Sequence, residues 1–257
     1  MYKRPRIIPV LLIDDRDLIK TKQFNDRTYL GDPINAVKIF NIKGVDELSI
    51  LDIGATRNKK DPDYEILDDI ASEAFMPLSY GGGIRNIDQI RRLISIGYEK
   101  IVINTCLVTH PELINEGAKL FGSQSVVASI DAKKIDGGYE AYIEDGTIAT
   151  GVSPLVLAKK AEALGVGEII INSIDKDGMM SGYDLELVKM VSDAVSVPVT
   201  AIGGAGGIDD IKKVLDEGHA HAAAGGSMFV FYGRLKAVLI TAPDEKELIE
   251  KHIYDAL

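Results

Sequence analysis

One cysteine, Cys106, stands in a chain of 257 residues, so no intrachain disulfide can form and the fold has to be held by its core. That usage suits a reducing compartment, and the cytoplasm is the expected location. No apolar run comes near the ~18 residues that a membrane-spanning helix needs. The first twenty residues show no signal-peptide pattern, because their apolar stretch is short and ends in acids. Positive charge is in deficit as well. Against 29 Lys and Arg stand 39 Asp and Glu, for a net charge of −10. A surface that grips nucleic-acid phosphates needs the opposite sign, so no nucleic-acid partner is expected. A local anion site remains open to such a chain, since backbone N–H groups at helix starts can build one.

What is present is an alternation of short apolar runs with longer amphipathic ones. Strands are expected at Arg6–Ile13, Glu47–Asp52, Met76–Ser79, Lys100–Ile103, Ser125–Ile130, Glu168–Asn172, Val197–Ala201 and His221–Ala224. Helical periodicity fills the intervals, as in Pro33–Ile42 and Ile87–Ile96, and glycines mark the turns. Eight strand–helix units in a chain of this length predict an α/β fold, a (β/α)8 TIM barrel, as one domain over residues 1–257. One stretch breaks the rhythm. "KIDGGYEAYIEDGTI", residues 134–148, has the Asp-Gly turns of a hairpin insert over the barrel mouth.

The chain also repeats itself. "MPLSYGGGIRNIDQIRRLISIG" from Met76 resembles "VPVTAIGGAGGIDDIKKVLDEG" from Val197. Pro77 and Pro198, Gly82 and Gly203, Ile87 and Ile208 each stand 121 residues apart, as do Gly44 and Gly165. The barrel is therefore read as two similar half-barrels, with sites that come in pairs. The paired glycine loops, with Gly82 and Gly83 in one and Gly203 and Gly204 in the other, each follow a strand and precede a helix. Alone, either loop could be no more than a tight turn. Two at one spacing point to two anion cups, completed one strand further on by Asn104 and Thr105 and by Gly226 and Ser227. Two facing cups fit an elongated phosphorylated small molecule.

"RIIPVLL", "VDELSILDI", "MPLSYGGGI", "EKIVINT", "FGSQSVVASIDAK", "GVGEIIINSIDKDGMMSGYDLEL" and "GGAGG…GGS" together resemble the cyclase subunit of imidazole glycerol phosphate synthase, HisF, from about residue 4 to 232. The resemblance implies a barrel that takes ammonia from a glutaminase subunit, HisH, docked at its N-terminal face. The ammonia crosses the barrel and attacks a ribulosyl bisphosphate at the C-terminal mouth. It implies no cofactor and no metal. It also assigns an ammonia gate at the barrel floor to Arg6, Glu47, Lys100 and Glu168. Without the resemblance, a structural ring of ion pairs would be the first reading of those four. At the mouth it carries over Lys20, Asp52, Asp177 and Gly178.

The family's catalytic pair is one aspartate at the end of strand 1 and one at the end of strand 5. Asp131 fills the second place in "ASIDAKK". The first is lost: in "IIPVLLI" the position holds Leu12, which cannot transfer a proton. Asp14 shares that strand face and is the candidate substitute, although it lies about 6–7 Å further along, a large error for catalysis. The other reading of Asp14 and Asp15 is a solvated turn. This departure, with "SMFVFYGRLKAVLI" in place of the family's final helix, resembles HisF-like paralogues of surface-polysaccharide gene sets. There the barrel accompanies a HisH-like glutaminase and an N-acetyl sugar amidotransferase. The readings left open are an ammonia-channel subunit, a working cyclase, the related sugar isomerase, and a scaffold. His219 and His221 lack a third metal ligand, Cys106 lacks an activating base, and residues 244–257 read as a last helix.

Overall fold

The computed structural model describes residues 4–233 and 235–255. Eight parallel strands form the frame: β1 Arg6–Asp14, β2 Leu48–Asp52, β3 Leu78–Gly81, β4 Lys100–Ile103, β5 Val126–Ile135, β6 Glu168–Ser173, β7 Val199–Ile202 and β8 Ala222–Gly225. Each pairs with the next, β8 pairs with β1, and β5 with β6, so the sheet closes on itself. All eight expected strands are there. Several start one or two residues late. Pro77 and Pro198 explain two of these: with no N–H they cannot enter a ladder as donors, but their carbonyls accept from Leu48 and Ile169.

The outer helices are α1 Pro33–Lys43, α2 Tyr64–Glu73, α3 Ile87–Ile96, α4 Glu112–Phe121, α5 Pro154–Leu164, α6 Leu185–Ser192, α7 Ile208–Asp216 and α8 Glu245–Glu250. Their ends follow local chemistry. Asp32 caps α1, which begins on Pro33 and stops at left-handed Gly44. Asn86 and Gln89 close a reciprocal capping box on α3. The 244–257 tail is helical only over Glu245–Glu250, and its last two residues lie outside the described set.

Two cores result from the alternation of strand side chains. On β1, Ile7, Leu11 and Ile13 face the helices in the large outer core. Ile8, Val10 and Leu12 face the barrel axis with Ala222 and Ala224. Each buried aliphatic side chain contributes roughly 1.5–3 kcal/mol.

Two β excursions rise from the mouth. After β1 the chain turns at Asp15 and Arg16 and pairs back as Asp17–Lys22, then turns again at Gln23 and Phe24 into Asn25–Gly31. All four turn residues have positive φ, as tight hairpin turns require, yet none is glycine. The second excursion is the 134–148 region. Its first arm is β5 itself, which runs past Ile130 to Ile135 and pairs antiparallel with Gly138–Ile143, followed by Ile148–Ala149.

Candidate functional site

At the barrel floor four charges meet. Arg6 begins β1, Lys100 begins β4 and Glu168 begins β6, while Glu47 immediately precedes β2. Arg6 Nη1 donates to Glu47 Oε2 (2.5 Å) and Nη2 to Glu168 Oε1 (2.9 Å). Lys100 Nζ donates to the same two carboxylates, at 2.6 and 2.9 Å. Thr200 adds a hydroxyl donor to Glu168. Both glutamates are buried. Burial alone would lift the Glu168 carboxyl, but Arg6 and Lys100 outweigh it and hold it below its ordinary range. Burial would likewise lower Arg6, and Glu168 with Glu47 reverses the sign.

Above the ring lies a cavity of about 150 Å³ whose lining begins with Glu47, Lys100 and Glu168 and ends at the glycine loops of the mouth. Its middle is apolar, with Ile8, Val10, Val102, Val127 and Ile170, interrupted by small hydroxyls such as Ser49, Ser79 and Thr200.

At the mouth, Asp131 is buried and accepts a hydrogen bond from Asn172 Nδ2 (3.1 Å). Burial, with help from Asp145 and Asp177, pushes its carboxyl up to about 7 despite that bond. Both glycine loops run through positive φ, 130° and 67° at Gly82 and Gly83, 93° and 107° at Gly203 and Gly204. Asn104 and Gly226 also match, at φ,ψ of −107°, −76° and −114°, −67°, each opening a short helix. Lys20 is buried, and burial lowers its ammonium pKa against the pull of Asp177. A Cβ on Gly226 would fall 2.3 Å from Lys20 Nζ, so this lysine points into the second glycine cup.

A family model described as histidine biosynthesis protein matches residues 6–236. The chain is 46% identical over 246 residues to the "Putative imidazole glycerol phosphate synthase subunit HisF" of Leptospira interrogans, covering 95% of this chain and 97% of that one. It is 48% identical over 246 residues to the like-named subunit hisF2 of Pseudomonas aeruginosa (95% and 98% covered), and 44% to hisF3 of Vibrio vulnificus (95% of each). The chain belongs to the HisF family.

In this HisF-family chain Leu12 is buried, pairs with Leu51 and Ile19, and lines the cavity. Asp14 is the last residue of β1 and does not line the cavity. It is paired with Arg27 and lies against Gly54. Asp15 is exposed in the turn. Other expected site residues have local work. Asp52 caps the short helix Ile53–Arg57, its Oδ1 accepting from Gly54 (3.0 Å) and Ala55 (2.9 Å). Asp177 holds the first excursion by accepting from Thr21 Oγ1 (2.7 Å) and Phe24 N (3.3 Å). Asn104 donates to Ser129 and Tyr142 carbonyls, and Thr105 Oγ1 accepts from Glu144 N, so this cup carries the second excursion. The sequence reading missed Asp145, whose carboxyl lines the cavity from that excursion. His221 accepts from Val199 N, His219 pairs with Asp193, and Cys106 Sγ donates to Ile84 O. Among the described residues no helix is long and apolar enough to cross a membrane. Nor is any group of three His, Cys, Asp or Glu there placed to hold a metal ion.

Two outcomes follow from this geometry. The folded chain holds a proton on Asp131 between about pH 4 and 7 that the unfolded chain has released. Stability therefore falls as pH rises through that window, by an amount on the order of a few kcal/mol. Asp131→Asn keeps the acceptor for Asn172 and removes the charge, so thermal melts will show a larger gain at pH 8 than at pH 5. Gly178→Ala will act through backbone. Its Cβ would lie 2.1 Å from Thr21 O at a φ of +68°, so hydrogen exchange of Asp17–Gly31 will quicken while the barrel strands stay protected.

Proposed function

We propose that this chain is the barrel subunit of a glutamine-dependent complex. It receives ammonia from a HisH-type glutaminase at its N-terminal face and passes it through the barrel, for amidation of a sugar in surface-polysaccharide synthesis. The observation that carries the reading is the single cavity that runs from the Arg6, Glu47, Lys100 and Glu168 ring to the mouth and is walled by Leu12 on β1. Its apolar middle suits neutral ammonia and disfavours ammonium, whose charge would be desolvated there. The paired ring is the element that would have to part for passage. The names hisF2 and hisF3 of two relatives fit a chain that works beside another HisF.

A second reading is a working cyclase. It draws on Asp131, whose carboxyl near pH 7 suits both giving and taking a proton, and on the synthase names of the relatives. The two part on one assay. The purified chain is supplied with ammonium at alkaline pH and the ribulosyl bisphosphate of the histidine pathway, beside a HisF that has its strand 1 aspartate. The channel reading expects no turnover. Turnover near the control's would replace it with the cyclase.

A further inference from the structure

The cavity has charge at both ends. At the mouth, Arg27 of the first excursion is paired with Asp14 of β1 and reaches Asp145 of the second excursion at 3.4 Å. Arg57, at the end of the short helix after β2, lies 3.4 Å from Asp145 and 3.9 Å from Asp14. Two bases and two acids again form a closed set. Their places in the chain matter more than their number. β1 and β5 are four strands apart in an eight-stranded ring, on opposite sides of the barrel. Pairs between Arg27 or Arg57 and Asp145 therefore bridge the mouth. An apolar contact does the same: a Cβ on Gly146 would meet the Phe24 ring at 2.7 Å, so the tips of the two excursions touch. Glu144, Asp145 and Gly146 all have positive φ, a tight turn that carries the Asp145 carboxyl inward, where it is nine-tenths buried.

We propose that Arg27, Arg57, Asp14 and Asp145 are a latch that holds the two excursions together across the mouth, and that parting it opens the cavity to whatever lies above. Reading this as an exit gate for ammonia rests on the proposed function; the latch itself is a property of this chain alone. The balance of forces makes it easy to open. Asp145 faces Arg27 and Arg57, with Asp14 beside them and Asp177 and Asp131 on the cavity side. Burial pushes its carboxyl up to about 6 even against both arginines. An ionised Asp145 is thus held in place at a net cost, and only the arginines keep it there. An anionic ligand group that took either arginine would free it.

The single cysteine supplies the probe. Cys106 is buried, lines the cavity, and follows Thr105, on which the second excursion rests. Its reaction with a small thiol reagent on the purified full chain, at pH 7.5, reports how often the mouth opens. Arg27→Gln with Arg57→Gln leaves the buried carboxylate without a cation, and labelling will rise about tenfold or more. Adding Asp145→Asn removes that stranded charge but restores none of the pairs, so labelling will fall part of the way and stay above the wild-type rate. Hydrogen exchange of Gly138–Ala149 will follow the same order, with the strands β2 to β4 as the check that the barrel is folded. Equal labelling in wild type and the double arginine variant would overturn the latch. So would a triple variant labelled at the wild-type rate, since the pairs it lacks would then hold nothing. No ammonia, glutaminase or sugar enters the test, so its failure leaves the channel reading where it stood, and a failed channel assay leaves the latch.

Discussion

Leu12→Asp is expected to give this chain ammonia-dependent cyclase turnover about 10²–10⁴-fold above the parent, the range that one placed acid or base supplies. The substitution puts a carboxyl on the axial face of β1, level with Leu51, in the cavity that Asp131 already lines from the other side of the barrel. It costs stability twice. Leu12 leaves an apolar cluster with Ile8, Val10 and Ile19, and a charge enters a buried place. Burial will lift the new carboxyl as it lifts Asp131, which brings the pair toward the neutral range rather than away from it. Leu12→Asn is the control, because it loses the same packing and gains no titrating proton. Turnover in the Asp variant alone would show a competent barrel that has set its chemistry aside. Equal turnover in parent and both variants would mean that strand 1 has no part in proton transfer.

The barrel was legible because each strand is a short run buried on both faces and each half repeats its glycines at one offset. Those signals survive in a single sequence, since Gly82 and Gly203 are fixed by backbone shape rather than by side-chain choice. The first excursion was not legible. Its turns use Asp15, Arg16, Gln23 and Phe24 at positive φ, with no Asn-Gly or Asp-Gly to announce them. Its strands also lack alternation: Leu18 to Thr21 are all buried, and Asn25 to Tyr29 all exposed. Pattern reading depends on one wet and one dry face, and neither strand has that.

The site was half legible. The resemblance to HisF singled out all four floor residues, and they meet as a ring. Leu12 was found by what it fails to be. Asp145 was hidden because "EDG" reads as a turn, and a turn does not say where its side chain points. Its positive-φ backbone and the tertiary contacts with Arg27 and Arg57 aim it inward, and neither can be read from the three letters. Asp52 and Asp177 show the opposite case. Both sit at the mouth, but one oxygen of each already accepts from backbone N–H groups or the Thr21 hydroxyl, a commitment invisible in sequence.

Lys100→Met at the floor is expected to cost about 3–5 kcal/mol, a fall in melting temperature of roughly 10 °C, because Glu47 and Glu168 stay buried with Arg6 as their one full charge partner. The pH dependence gives it a signature. Glu168 is held below its ordinary range, so its contribution is complete above about pH 4.5 and is lost as pH falls through the lowered value. Without Lys100 that value rises, and the acid-unfolding midpoint will move up with it. A merely structural ring predicts these effects and nothing else. The channel reading adds one: with a HisH-type glutaminase bound, transfer of glutamine-derived nitrogen will fail, while added ammonium at the mouth still serves. A floor rebuilt from apolar residues of like volume separates the two further, since buried ion networks replaced in that way often lose no stability. If such a floor folds as well as the parent but no longer passes nitrogen, the four charges are kept for passage. If it passes nitrogen normally, the four charges are not needed for passage.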